Sequence, residues 1–200
     1  WRIEKRLAST GALCTGGACS AGDFDTDGFI SGIVVSEYSY AIALDATNGY
    51  IYIAGYDSST NWRIEKRLAS TGALCTGGAC SAGDFDTDGV VDGVAASDNS
   101  YAIALDATNG YLYIAGVGVN TSWRIEKRLA STGALCTGGA CSAGNFDTDG
   151  VVDGGDFTGS IRSISLDATN GYIYIAGYDD VVNWRIEKRL ASTGALCTGG

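Results

Sequence analysis

Apolar and charged residues alternate with a period of two over the first eight positions, WRIEKRLA, as in a β-strand with one solvent-exposed face. Lys5 interrupts the apolar row formed by Trp1, Ile3 and Leu7. A lysine stem can lie along apolar surface while its ammonium stays at the rim. We therefore expect the strand to accommodate Lys5.

Two further β-prone runs, YAIALD at 40–45 and YIYIAGY at 50–56, lie on either side of a short polar turn. The turn ends in Asn48-Gly49, which is a strong signal for a β-hairpin. The small residues of the first run suit a crowded inner strand. Residues 12–16, which follow the turn Ser-Thr-Gly, are expected to add a weak fourth strand.

The chain repeats itself with a period of 61 residues, because the run WRIEKRLASTGALCTGG begins at Trp1, Trp62, Trp123 and Trp184. A fixed period is the signature of an array of similar structural units. We expect these tryptophans to be buried between adjacent sheets. We interpret the chain as a window of a longer array that holds a partial repeat and three full repeats. Their ranges are 1–17, 18–78, 79–139 and 140–200.

Four antiparallel strands in a module of about 60 residues are typical of a β-propeller blade. We predict an all-β protein of tandem four-stranded antiparallel β-propeller-like blades. The copies differ mainly in two windows, 29–39 and 56–61 with their equivalents. The predicted strand order places both windows on one face of a propeller. A β-solenoid and a plain stack of sheets are the alternatives.

The run LDATNGYIYIAGY followed by NWRIEKRLASTGAL resembles the repeats of bacterial secreted β-propeller proteins of the SBBP type. The segment GDFDTDG is similar to the calcium loops of FG-GAP and VCBS propeller repeats. These resemblances imply an extracellular protein with a binding or surface-structural role.

The acidic segment also predicts a calcium site from its own chemistry. Alternate oxygen-bearing side chains precede a glycine at the sixth position, which allows a tight turn that gathers them around a hard cation. An EF-hand glutamate at position twelve is missing, so we expect modest affinity. A solvated acidic turn is the alternative. The candidate ligands are Asp23, Asp25, Asp27 and Ser31, then Asp84, Asp86, Asp88 and Asp92, and finally Asn145, Asp147, Asp149 and Asp153.

Seven cysteines recur as CTGGAC motifs, with the seventh at Cys197. The two glycines permit a tight reversal, so each motif is expected to close a local disulfide. Thiolate metal binding is the alternative, but this spacing is weak for it. Cys197 is expected to pair with a cysteine at position 202, two residues beyond the last residue of the given sequence. The predicted pairs are Cys14 with Cys19, Cys75 with Cys80, and Cys136 with Cys141.

Composition excludes several classes of function. The chain contains no histidine, which removes Ser-His-Asp catalysis and the usual zinc sites. Its net charge of −10 opposes a polyphosphate partner, so we expect no binding to nucleic acid. No apolar run approaches the length of a membrane span. Disulfides and calcium loops together indicate an extracellular or cell-surface protein.

We predict a non-enzymatic structural protein of a surface layer or filament, in which near-identical modules make the same contact with copies of the chain. The alternative is a secreted β-propeller that binds glycans or adheres through the two variable windows. Paired carboxylates could serve acid-base catalysis, but metal ligation explains them more simply, so we do not expect an enzyme.

Overall fold

The computed structural model describes most of the chain and contains almost only β-structure. The described residues are 1–19, 23–32, 36–80, 85–93, 99–118, 121–137, 139, 141, 146–147, 149–181 and 183–198, with only the backbone described for 155–158. The predicted all-β class and the antiparallel four-stranded sheets are confirmed. Closure of the sheets into a propeller stays a prediction.

The described strands form one partial sheet and three larger sheets, which we number sheet 1 to sheet 3 along the chain. The partial sheet contains β1 (Arg2–Glu4) and β2 (Phe29–Ser31). Sheet 1 contains β3 (Tyr38–Asp45), β4 (Tyr50–Tyr56), β5 (Trp62–Leu68) and β6 (Val90–Asp92). Sheet 2 contains β7 (Asn99–Asp106), β8 (Tyr111–Val117), β9 (Ser122–Leu129) and β10 (Val151–Thr158). Sheet 3 contains β11 (Ser160–Asp167), β12 (Tyr172–Tyr178) and β13 (Trp184–Leu190).

The predicted hairpin between β3 and β4 is present, with Asp45 opposite Tyr50. The Asp45 carboxylate accepts hydrogen bonds from the backbone N–H of Asn48 at 3.0 Å and from its side-chain amide at 2.8 Å. Gly49 has φ +77°, a left-handed conformation that glycine adopts without steric cost. The sequence Asp-Ala-Thr-Asn-Gly therefore fixes the turn through its own side chains.

The prediction that residues 12–16 and their equivalents form a weak fourth strand is only partly correct. In sheet 1 that position is taken by β6, whereas the earlier segment makes only the single bridge from Arg67 to Leu74. Both segments lie along the same edge of β5. The N–H of Cys75 donates to the carbonyl of Lys66, and the N–H of Lys66 donates to the carbonyl of Gly89.

The fourth strand is thus split in two by an excursion of the chain. The chain leaves the sheet at Cys75, where Gly77 and Gly78 have φ +60° and +77° and the cysteine motif reverses its direction. It returns at Gly89, where a side chain would contact the backbone of Cys75. The boundaries predicted at 78/79 and 139/140 fall between the third and fourth strands, so sheets 1 and 2 each take their fourth strand from the following repeat.

A β-bulge interrupts the pairing of the first two strands in all three larger sheets. The register shifts between Ser39 and Ala41 in sheet 1, and the bulged residues are Tyr40 and its equivalents Tyr101 and Arg162. Opposite the bulge, a Cβ on Gly55 would overlap the carbonyl oxygen of Tyr38. The glycine of each YIAG run is therefore required by the close approach of two backbones.

Successive sheets pack face to face, and their first strands lie next to one another. The cluster between sheets 1 and 2 joins Tyr52, Trp62 and Ile64 of one sheet to Leu112 and Ile114 of the next. An equivalent cluster fills the space between sheets 2 and 3. The core of the protein therefore lies between modules.

Candidate functional site: the interface between modules

The tryptophan of each third strand anchors one sheet to the next. The indole N–H of Trp62 donates to the carbonyl of Val117 at 2.9 Å, and that of Trp123 donates to Tyr178 at 3.0 Å. Both side chains are buried, with 1% and 0% exposure, as expected from the sequence. Trp184, at the same position of sheet 3, is 92% exposed. The indole donors are satisfied across the interface, which is how a buried tryptophan is normally accommodated.

A tyrosine hydroxyl makes a second link that recurs one repeat later. Tyr52 donates to the carbonyl of Ala130 at 3.0 Å, and Tyr113 donates to Ala191 at 2.9 Å. Burial raises the pKa of both phenols, and the nearby carboxylates Asp45 and Asp106 raise it further. The neutral, hydrogen-bonded phenol is therefore the form that the interface requires.

The lysine that interrupts the apolar row is buried in the interface. Lys66 is fully buried, so the expectation that its ammonium stays at the rim is wrong at this copy. Its ammonium donates to the carbonyl of Ser131 at 3.3 Å and lies 4.3 Å from the centre of the Tyr50 ring. Burial lowers the pKa of Lys66. A carbonyl and an aromatic face replace part of the hydration that the charge loses.

The opposite face of each third strand carries a buried charge cluster. Glu65 accepts hydrogen bonds from Arg63 at 3.0 Å and Arg67 at 2.7 Å, and Arg67 also donates to the carbonyl of Gly72. Glu126 and Glu187 have equivalent partners. Each carboxylate is thus paired within its own strand. Removal of one partner would leave buried charge without compensation.

The acidic segments connect each module to the next through their backbone. Phe85 is buried and makes an edge contact with Tyr52 at 6.1 Å between ring centres. The next residue, Asp86, has φ +54°, and its N–H donates to the carbonyl of Thr132 in the following repeat at 2.9 Å. The same bond recurs from Asp25 to Thr71 and from Asp147 to Thr193.

The candidate calcium ligands are distributed over several environments. The carboxylate of Asp23 accepts a hydrogen bond from the N–H of Gly17. The side chains of Asp25, Asp27, Asp86, Asp88, Asp147 and Asp149 belong to exposed residues of the loops. Asp88 and Asp149 accept hydrogen bonds from the backbone N–H two residues later. Asp84 and Asn145 lie outside the described residues.

The ninth position of each acidic segment lies on the fourth strand. Ser31 belongs to β2 and is exposed. Asp92 lies 3.5 Å from the guanidinium of Arg63, and Asp153 lies 3.6 Å from that of Arg124. Within the described ranges, no three acidic or sulfur side chains converge in a metal-binding group. Calcium binding by these segments therefore stays a prediction.

The three cysteine pairs are bonded as disulfides, as the sequence predicts. Each pair has a Cα–Cα distance of 5.1 Å, and all six half-cystines are buried. They close the excursion at the point where the chain leaves the sheet edge. Among the described cysteines Cys197 is unbonded and exposed. Disulfides of this kind persist in oxidising, extracellular-type environments.

Tyrosine rings gather where the bulges of successive sheets meet, a feature that sequence analysis missed. Tyr38 stacks on Tyr56 with ring centres 4.9 Å apart, and Tyr40 makes an edge contact with Tyr101 at 5.0 Å. The Arg162 guanidinium lies 5.0 Å from the centre of the Tyr101 ring. The signal in the sequence is the YIAG glycine, which permits the close approach of two backbones opposite the bulged residue.

The polar groups of this cluster interact with one another. Burial raises the pKa of Tyr56 to about 12, with further contributions from a hydrogen bond and the charge of Tyr40. The Oδ1 of Asn99 is buried and has no hydrogen-bond partner within the described part of the chain. An unsatisfied buried acceptor costs about 1–3 kcal/mol.

No protein-family model matches the chain, and no curated protein matches it. The part of the chain that the structure describes has no helix with the length and apolar character of a membrane span.

Replacing Tyr52 and Tyr113 by phenylalanine tests the hydroxyl links. Each loss is expected to lower stability by about 1 kcal/mol at pH 7. An unfolded tyrosine ionises near pH 10, whereas the folded phenols remain protonated, so the wild type loses stability above about pH 10. Buried Lys66 has the opposite effect. Because burial lowers its pKa, the free energy of unfolding rises with pH until lysine in the unfolded chain deprotonates near pH 10.4. The double variant should therefore show a flatter stability curve from pH 10.5 to 11.5.

The measurement is urea unfolding at several pH values in a Cys197→Ser background, which prevents thiol-disulfide exchange. Tyr174→Phe is the matched control, because that tyrosine is exposed. Parallel curves for wild type and double variant above pH 10.5 would contradict the assignment.

Proposed function

We propose that the chain is a non-enzymatic structural protein of the cell exterior, whose modules stack through one repeated interface and extend it between copies in a surface layer or filament. The observation that carries this proposal is the recurrence of the interface. The indole, phenol and loop-backbone links between sheets 1 and 2 all recur between sheets 2 and 3. A structure that repeats one contact suits a lattice or fibre.

The two outer sheets expose the faces that meet inside the stack. On sheet 1, Ile42 and Leu44 are more than half exposed, whereas their equivalents Ile103 and Leu105 pack against the preceding sheet. On sheet 3, Trp184 and the strongly exposed Ile186 belong to the face that sheets 1 and 2 bury. These two faces differ, so contact between copies would be heterologous and would produce rings or filaments.

The partial sheet influences how two copies can meet. Trp1, Ile3 and Leu7 pack against Ile51 and Ile53 of sheet 1. They leave an open cavity of about 520 Å³ between β1 and β3, which is lined by Ile42 and Leu44 among others. Ile42 and Leu44 therefore remain accessible to another copy through this cavity.

We also propose that the stack has the curvature of a β-propeller. The first strands of successive sheets lie side by side, as inner strands of blades do. The buried disulfides support an extracellular location, since such bonds persist in oxidising compartments.

Self-association is tested by adding charge to the exposed faces. The variants Ile42→Asp and Ile186→Asp are expected to remain folded, because both side chains are exposed, and to lose association. The matched control Val181→Asp introduces the same charge in an exposed loop and should associate like wild type. Sedimentation velocity and negative-stain microscopy over a range of concentrations provide the measurement.

The wild type is expected to form linear or ring-shaped oligomers whose size grows with concentration. A wild type that stays monomeric at all concentrations would overturn the proposal of self-association. Association of both face variants at the wild-type level would overturn the choice of interface.

We propose calcium as a stabilising ion of the acidic segments, supported by the alternation of Asp23, Asp25 and Asp27 before Gly28. A saturating ion raises stability by about 2.7 kcal/mol per site at a hundredfold excess over Kd. The melting temperature should therefore be higher in calcium than in chelator. This difference in melting temperature should be smaller in the double variant Asp86→Asn/Asp88→Asn. The control variant Asp179→Asn should keep the wild-type difference.

Equal melting temperatures of the wild type with and without calcium would exclude the ion.

A further inference from the structure

We propose that the bulge residues and their tyrosine neighbours form a binding site for a neutral oligosaccharide. This site, which we call the tyrosine row, contains Tyr38, Tyr40, Tyr56, Tyr101, Arg162 and Tyr178. It is distinct from the faces that stack modules, so the inference goes beyond the proposed structural role.

The row is continuous across all three larger sheets. Tyr40 lies 5.8 Å from Tyr56 and 5.0 Å from Tyr101, measured between ring centres. Arg162 lies 5.0 Å from the Tyr101 ring and 5.4 Å from the Tyr178 ring, and it donates a hydrogen bond to the Tyr178 hydroxyl at 3.4 Å. A ligand with several rings in succession matches this arrangement better than a single small molecule does.

The row presents aromatic surface to solvent. Tyr38 is 50% exposed and Tyr40 is 49% exposed. Clustered exposed aromatic side chains indicate an interaction surface. Tyrosine offers a sugar both an apolar ring for its C–H face and a hydroxyl for hydrogen bonding.

Contact between modules does not by itself require tyrosine at the bulged position. The glycine opposite the bulge is the same in every copy, at Gly55, Gly116 and Gly177. The bulged residue itself changes, since Tyr40 and Tyr101 correspond to Arg162. The bulge therefore needs the glycine, whereas the redirected side chain is free to serve another purpose. β-Bulges commonly aim a side chain at a functional site.

Charge selects the class of ligand. The whole chain carries −10, and Glu37, Asp57 and Asp179 adjoin the row in sequence. Arg162, the one cation of the row, already contacts two tyrosine rings. A polyanionic glycan or a single-stranded nucleic acid would be repelled, although aromatic rings stack on bases as well. A neutral sugar chain meets no such barrier.

The test measures binding of the full chain to soluble neutral polysaccharides, a β-1,4-glucan and a galactomannan, by affinity electrophoresis and calorimetry. Heparin and a proline-rich peptide are the competing probes. We expect retardation by at least one neutral polysaccharide and a tenfold or greater loss of affinity in Tyr40→Ala/Tyr101→Ala. Arg162→Tyr should extend the aromatic surface and increase affinity severalfold.

Tyr174→Ala is the matched control, because this exposed tyrosine lies outside the row, and it should bind like wild type. Circular dichroism establishes that each variant is folded; if the double variant unfolds, Tyr38→Ala alone replaces it with the same expected direction. The proposal is overturned if no neutral polysaccharide binds, if the row variants bind like wild type, or if only heparin or the peptide binds. Monomers that bind sugar would leave this inference intact while contradicting self-association.

Discussion

Each sheet of this protein depends on its neighbour because both of its faces carry apolar side chains. A small four-stranded sheet with two uncovered apolar faces is not stable in water, since burial of apolar surface is the main force that stabilises folds. The indole of Trp62 shows how the next sheet covers such a face. Its ring is covered by sheet 2, and its N–H finds an acceptor there as well.

The buried lysine of the interface constrains the register of the stack. Lys66 is buried between a tyrosine ring and a carbonyl of the next module, and Glu65 is held between two arginines of its own strand. Apolar contacts alone tolerate sliding, whereas a buried charge is stable only opposite its partner. We infer that the lysine in each WRIEKRL run specifies which groups face each other.

Local features of the fold could be predicted from the sequence. Alternation located the strands, Asn48-Gly49 located the hairpin, and the CTGGAC spacing located the disulfides, because each depends on residues close together in the chain. The burial of Trp62 also followed from its repetition. The burial of Lys66 could not be predicted in this way, because the carbonyl that accepts a hydrogen bond from its ammonium belongs to the next repeat.

The features that sequence analysis missed depend on contacts between distant segments. The fourth strand is divided between residues before and after a disulfide-bonded excursion, and its second half, β6, is only three residues long. The tyrosine row arises from a bulge that is visible only when β3 and β4 are paired. For the candidate calcium ligands, the spacing of residues alone does not identify the partner of each carboxylate. A spacing typical of a metal loop is also compatible with Asp92 facing Arg63.

Hydrogen exchange of the indole N–H groups, followed by NMR, tests the central claim most directly. If modules are held together by the described interface, then in the Ile42→Asp variant, which is expected not to associate, the indole protons of Trp62 and Trp123 should exchange as slowly as core amides, whereas that of Trp184 should exchange without protection. Equal, rapid exchange of all three would contradict the stacked structure.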